Sequence, residues 1–129
     1  MRFFFDHNMP SRLAKAIDFL EGEHGCRVRH LITDFPPNTK DTVWIRSLGT
    51  DGDWVVLTRD ARIYRNDDER QAWKDTKLPI VYVTKAFEDL DFWIMASKLL
   101  FAWPEIRGKV SKSNRLAFTL TGSGKLKEM

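Results

Sequence analysis

Cysteine is nearly absent from this chain. Cys26 is the only one in 129 residues, which excludes a disulfide framework and a cysteine-rich zinc site. Histidine is scarce too: His7, His24 and His30 lack the spacing of a zinc site, and no cysteine pairs with them. Long apolar runs are also missing. The N-terminal one stops at Asp6 after Phe3, Phe4 and Phe5, and the longest, WIMASKLLFAW, carries Lys98 and is too short to span a bilayer. The chain thus reads as having neither signal peptide nor membrane anchor, and a reducing cytoplasm is the expected compartment. No repeat and no linker divides it. A single domain is expected over residues 1–121, followed by a flexible basic tail over 122–129.

What is present is a globular composition, 43% hydrophobic and 30% charged, on a chain long enough to bury a core without staples. The net charge of +3 is unevenly placed. Residues 1–107 hold 16 Lys+Arg against 17 Asp+Glu, whereas residues 108–129 hold five basic residues against Glu128 alone. A basic end suits phosphates or an acidic partner, and equally a solvated tail.

RFFFD (2–6) is continuous rather than alternating in its apolar residues, which predicts a strand buried on both faces. Pro10 opens a helix to about Glu21, with Leu13, Ala16, Ile17 and Leu20 at helical spacing and Gly22 after its end. CRVRHLI (26–32) reads as a second strand, and FPPNTK as a loop. A short helix follows from Thr39 or Asp41 to about Leu48, with Val43, Trp44 and Leu48 inward and Gly49 as its stop. DWVVLTRD predicts a third strand, Asp67–Thr76 a polar helix anchored by Ala72 and Trp73, and LPIVYVT (78–84) a fourth strand. Glu88–Trp103 is a long apolar helix closed by Pro104, and RLAFTLT (115–121) alternates as an edge strand would. Strands alternating with helices argue a three-layer α/β domain with a mainly parallel sheet of four to five strands. In such sheets ligands bind beyond the carboxyl ends of the strands, where strand order reverses.

Asp6 and Asp60 end the first and third strands, and Asp41 stands in the first turn of the helix before the third. Each alone is explained as a helix cap or turn former. Three carboxylates on one rim repel each other and need a cation, and hard oxygen ligands suit Mg²⁺ or Mn²⁺. Such ions clamp and polarise phosphodiesters. Asn8 adds a donor and an acceptor beside Asp6, and Thr58 shares a strand face with Asp60.

FFFDHNMP resembles the Asp-x-Asn-x-Pro start of the PIN-like nuclease families. WVVLTRD resembles the Thr-x-Asp ending of their central strand, and KDTVWIRSLG the short helix between, whose leading acid completes the site. The order, spacing and length are similar to those of compact stand-alone PIN-like proteins, closest to the VapC-like toxins of type II toxin–antitoxin pairs. The resemblance implies a PIN-like fold and a Mg²⁺- or Mn²⁺-dependent endoribonuclease held in check by a cognate antitoxin protein. By position, Asp6, Asp41 and Asp60 bind metal, with Asn8 and Thr58 assisting. The sequence departs from the pattern in two ways. Asp41 stands where many relatives have Glu, and a fourth acid is not identified, its nearest candidates being Asp67, Asp68 and Glu69, which also read as the acidic first turn of a helix.

Arg59, Arg62 and Arg65 cluster around Asp60, Lys85 follows the fourth strand, and Arg12 lies on the first helix; beside a metal site such residues hold the phosphates of RNA. His7 reads as structural or as a phosphate contact. Of the five tryptophans, Trp44, Trp73, Trp93 and Trp103 fall on helix faces that need apolar fillers. The apolar helix around DFWIMASKLLFAW is either deeply buried or partly an interface, for a partner helix or a second copy of the chain. Two alternatives stay open. One is a PIN-like module that binds RNA or protein without cleaving. The other is a phosphoacceptor signalling domain using Asp6, Asp60, Thr84 and Lys85, which lacks the usual acidic pair at the first strand and leaves Asp41 without a role.

Overall fold

The computed structural model describes residues 1–22, 25–59 and 66–129. Their elements run β1 (Arg2–Phe5), α1 (Ser11–Glu21), β2 (Arg27–His30), α2 (Leu31–Asp34), α3 (Asp41–Asp51) and β3 (Trp54–Thr58). There follow α4 (Asp67–Thr76), β4 (Ile80–Val83), α5 (Lys85–Glu88), α6 (Phe92–Lys112), β5 (Ala117–Leu120) and β6 (Leu126–Glu128). The strands form one six-stranded sheet in the order β2-β1-β3-β4-β5-β6. All pairs are parallel except β5 with β6. The expected α/β architecture, a mainly parallel sheet between helices, is the one observed.

The continuous phenylalanine run makes sense in this sheet. β1 is central, paired on both edges by β2 and β3 and packed on both faces by helices, and Phe3, Phe4 and Phe5 are each 0% exposed. Phe3 and Phe5 join Leu13 and Ile17 of α1 and Leu99, Trp103 and Ile106 of α6 on one side. Phe4 joins Trp44 and Ile45 of α3 and Trp73 of α4 on the other. Burying each such side chain contributes about 1.5–3 kcal/mol, so β1 ties both cores together.

Several elements differ from the sequence reading. On α1 the buried residues are Leu13, Ala14, Ile17 and Glu21, while Leu20 is exposed. The stripe turns because Glu21 is drawn inward: Trp103 Nε1 donates to its Oε1 at 2.7 Å and Arg107 to its Oε2 at 2.8 Å. On α3 the inward residues are Trp44, Ile45 and Leu48, and Val43 faces solvent. Gly49 does not stop α3; it lies within the helix, where an added Cβ would collide with the Thr76 side chain of α4. Pro104 does not close α6 either. The helix runs on to Lys112, its later turns anchored by buried Ile106 and Val110, whose burial offsets a proline cost of about 3 kcal/mol.

The second strand is only Arg27–His30, with α2 taking up Leu31 and Ile32. β5 is not an edge. It pairs with β4 on one side and on the other with β6, which lies in the segment read as a tail: Phe118, Thr119 and Leu120 pair with Glu128, Lys127 and Leu126, and Leu126 is buried. Trp93 is not core; it is 77% exposed on α6. Among the described residues no helix is long and apolar enough to cross a membrane.

Candidate functional site at the carboxyl ends of β1 and β3

Strand order reverses around β1, whose neighbours β2 and β3 lie on opposite sides, so the crevice expected of an open α/β sheet falls at the carboxyl end of β1. Asp6 occupies that position. Its backbone N–H continues the ladder by donating to Leu57 O at 3.2 Å, and its side chain is buried, 3% exposed. The Thr58 hydroxyl, itself fully buried, donates to Asp6 Oδ2, and the Asn8 backbone N–H donates to Oδ1 at 3.0 Å. The second bond is an Asx turn: the acid bends the chain over itself. Met9 N–H closes the same turn on Asp6 O at 3.1 Å. Asn8 does not cap α1, whose N-cap residue is Pro10 with no side-chain cap.

The turn is braced from below by a residue the sequence reading left without a role. His30, at the end of β2, is 4% exposed. Ile32 N–H donates to its Nδ1 at 3.0 Å, so Nε2 carries the proton and donates to Met9 O at 2.6 Å. Burial pushes its pKa below the usual histidine value, with the charges of His7 and Lys15 acting in the same direction and the bond to Met9 against. The signal in the sequence was a histidine on the apolar side of a strand, alternating with arginines.

Asp41 opens α3 and is half-buried. Its Oδ1 accepts from Trp44 Nε1 at 2.9 Å, and the Trp44 ring stacks on Phe4 at 5.4 Å between centroids. The carboxylate is thus keyed, through one indole, to the strand that delivers Asp6. Asp41 lines a cleft of about 420 Å³ with His7, Leu31, Phe35, Pro36 and Asn38. His7, next to Asp6 in the chain, is exposed and shares this cleft.

Asp60, Arg62 and Arg65 lie outside the described residues. Among the described residues no three His, Cys, Asp or Glu side chains are grouped so as to hold a metal. Asp67, Asp68 and Glu69 form the first turn of α4, where Asn66 accepts from Asp68 N–H at 2.8 Å and Arg70 lies 3.3 Å from Asp67. Of the candidate phosphate-binding residues, Arg59 and Lys85 line one cavity, on the β4–β5 side of the rim. Arg12 is set apart from them, in a shallow depression with Pro10, Ser11 and Phe92.

Comparison with known proteins places most of these residues within one family. Residues 1–85 match the model of the PIN like domain; the match spans β1 through the start of α5, including Asp6, Asp41, Thr58 and Asp60. No curated protein matches the chain, and no solved structure does. The match covers well over half of the 129 residues, and the chain belongs to the PIN-like domain family.

Proposed function

We propose that the protein is a metal-dependent endoribonuclease that hydrolyses RNA phosphodiester bonds, and that it serves as the toxin of a type II toxin–antitoxin pair. The observation that carries the reading is Asp6: a buried carboxylate at the switch point of a PIN-like sheet, oriented by the Thr58 hydroxyl and the Asn8 N–H. Burying a carboxylate is costly unless it is paired, and a strand-end acid held this way is suited to a cation.

The donor set favours a hard one. Asp6 and Asp41, with Asp60 from the sequence, are oxygen ligands, which suits Mg²⁺ or Mn²⁺. When bound, such a cation neutralises phosphodiester charge and lowers the pKa of a water. The chain's own residues supply the rest: Thr58 and Asn8 hold Asp6 in one orientation, Trp44 does so for Asp41, and Arg59 and Lys85 offer positive charge for the RNA backbone. Exposed Phe19, Trp93 and Phe101 support a protein partner, either the antitoxin or a second copy of the chain.

The test is cleavage of total RNA by purified protein, with and without Mg²⁺ or Mn²⁺, beside the Asp6→Asn and Asp60→Asn variants. Metal-dependent cutting by wild type alone is expected, with at least a ~100-fold loss in each variant, the scale of removing a group that stabilises transition-state charge. Induced expression should arrest growth for the wild type and spare it for Asp6→Asn. A second reading, a PIN-like module that binds RNA without cutting it, draws on both Asp6 oxygens being engaged within the protein. RNA retained by the wild type and uncut under either metal would establish that reading instead.

A further inference from the structure

The sheet register aligns polar side chains in a row on one face. Phe5 pairs with Leu57, so Asp6 follows opposite Thr58; Thr58 pairs with Tyr82, Tyr82 with Thr119, and Thr119 with Lys127. Registered neighbours in a sheet point to the same side. This is the side that α3 and α4 cover over β1, β3 and the start of β4. Farther along, the cover ends and the row opens: Thr58 is buried, Tyr82 and Thr119 are half-buried, and Lys127 is exposed. At about 5 Å per strand, Tyr82 stands about 10 Å from the strand of Asp6 and Thr119 about 15 Å.

Where the row opens, Arg59, Tyr82, Thr84, Lys85, Glu88 and Thr119 line a cavity of about 530 Å³. Two of its polar atoms, Arg59 Nε and Thr84 Oγ1, are buried and have no hydrogen-bond partner among the described residues. A buried donor left unpaired is costly, and such groups in a native fold call for a ligand or a solvent molecule. Arg59 follows Thr58 directly and Lys85 follows Thr84 directly, so two cations and a hydroxyl meet in one concavity. Planar guanidinium and mobile ammonium donors suit an oxyanion.

We propose that this cavity holds a backbone phosphate of the nucleic-acid strand away from the Asp6 site, so that single-stranded RNA crosses the sheet from β1 towards β5 and β6. Arg59 and Lys85 neutralise the phosphate, and the Thr84 hydroxyl donates to it. Glu88 is the opposing charge in the cavity and sets an upper limit on affinity. Lys127 extends the positive path at the open end of the row. Thr119 and β6 lie beyond the residues that match the family model, so this half of the path belongs to this chain's own C-terminal strands. The proposal deepens the ribonuclease reading but is tested by binding rather than cleavage.

The experiment measures anisotropy of a fluorescein-labelled single-stranded RNA of mixed sequence, in EDTA, over a range of NaCl concentrations. Each neutralised phosphate of a single-strand complex contributes about 0.7 to the slope of log affinity against log salt. Arg59 and Lys85 share one phosphate, so Lys85→Ala is expected to lower the slope by roughly half of that, and Arg59→Gln with Lys85→Ala by about 0.7 in all. Thr84→Val weakens binding severalfold at unchanged slope, Glu88→Gln tightens it about twofold or more, and Lys112→Ala on α6 leaves it unchanged. Lys85 is exposed, so its variant folds, and a melting curve verifies this for the others. Wild-type affinity and slope in Lys85→Ala and Thr84→Val would overturn the proposal, as would a wild type that binds no RNA. Inorganic phosphate that binds the wild type but not the variants, while all of them bind RNA with the same affinity, overturns the strand reading in favour of a free anion. Loss of binding in these variants by a protein that never cleaves leaves the path standing and removes the nuclease.

Discussion

Asp6 accepts hydrogen bonds on both carboxylate oxygens, from the hydroxyl of Thr58, 52 residues away in sequence, and from the Asn8 N–H of its own turn. Thr58→Val keeps the shape of that contact and removes its donor, leaving a buried carboxylate oxygen short of a bond. A loss of about 1–3 kcal/mol is expected in chemical denaturation, together with a fall in any metal-dependent cleavage. His30 offers a second test at this scale. Its folded pKa lies below the unfolded value near 6.5, so the native state binds fewer protons than the unfolded one in that window. The stability it contributes is fully present above pH 6.5 and declines as pH falls through the folded pKa, by at most about 1.4 kcal/mol per pH unit. Urea midpoints measured from pH 8 to 5 should bend down below 6.5, and the bend should be weaker in His30→Gln. Asp6 was legible in the sequence because an acid ending an apolar run is conspicuous. His30 was not, since its meaning depends on Met9, 21 residues away, and on which ring nitrogen carries the proton.

Element boundaries were legible where local chemistry sets them and missed where tertiary packing does. The span of α4 is the one expected, Asp67–Thr76, because Asn66 caps it and three acids crowd its first turn. Gly49 shows the other case. A glycine after an apolar stripe reads as a stop, yet its position is dictated by Thr76 on a different helix. Gly49→Ala gains about 1 kcal/mol of helix propensity against an overpacking cost of about 1–3 kcal/mol, and Thr76 resists turning away because its hydroxyl donates to Ala72 O at 2.8 Å. Net destabilisation of about 1 kcal/mol is expected, eased only in part in Gly49→Ala with Thr76→Ser, which removes the methyl nearest the added carbon but keeps the Thr76 Cβ at 2.7 Å; thermal melts of the three variants decide it. On the opposite face, Arg107→Met strips a partner from buried Glu21 while leaving the Trp103 bond. The cost should be about 2 kcal/mol, under the 3–5 for a wholly buried pair because Arg107 is part-exposed.

At the scale of the whole molecule, the sheet is held together by contacts distant in sequence, and its far edge is completed by residues whose charge disguised them. GSGKLKEM has a single apolar residue between lysines, too little pattern to announce a strand, but Leu126 is buried on the same side as Phe118 and Leu120. Leu126→Ala should cost about 2 kcal/mol, near the lower end for a buried leucine, whereas a detached tail would register nothing; hydrogen exchange at Thr119 and Leu120 reports the same pairing. The fold class was readable from alternation of strand and helix, but strand order was not, because order depends on which crossovers pack. That order has a consequence in time. β1 leaves the ribosome well before β3, the neighbour that supplies Thr58, and the cavity wall at Thr119 emerges later still. With so much pairing non-local, assembly is expected to be slow and late, so a chain still being synthesised carries the acids of the site without their geometry. Any activity of the site is therefore expected to appear only after β1 and β3 have paired, a step later than the synthesis of the acids themselves.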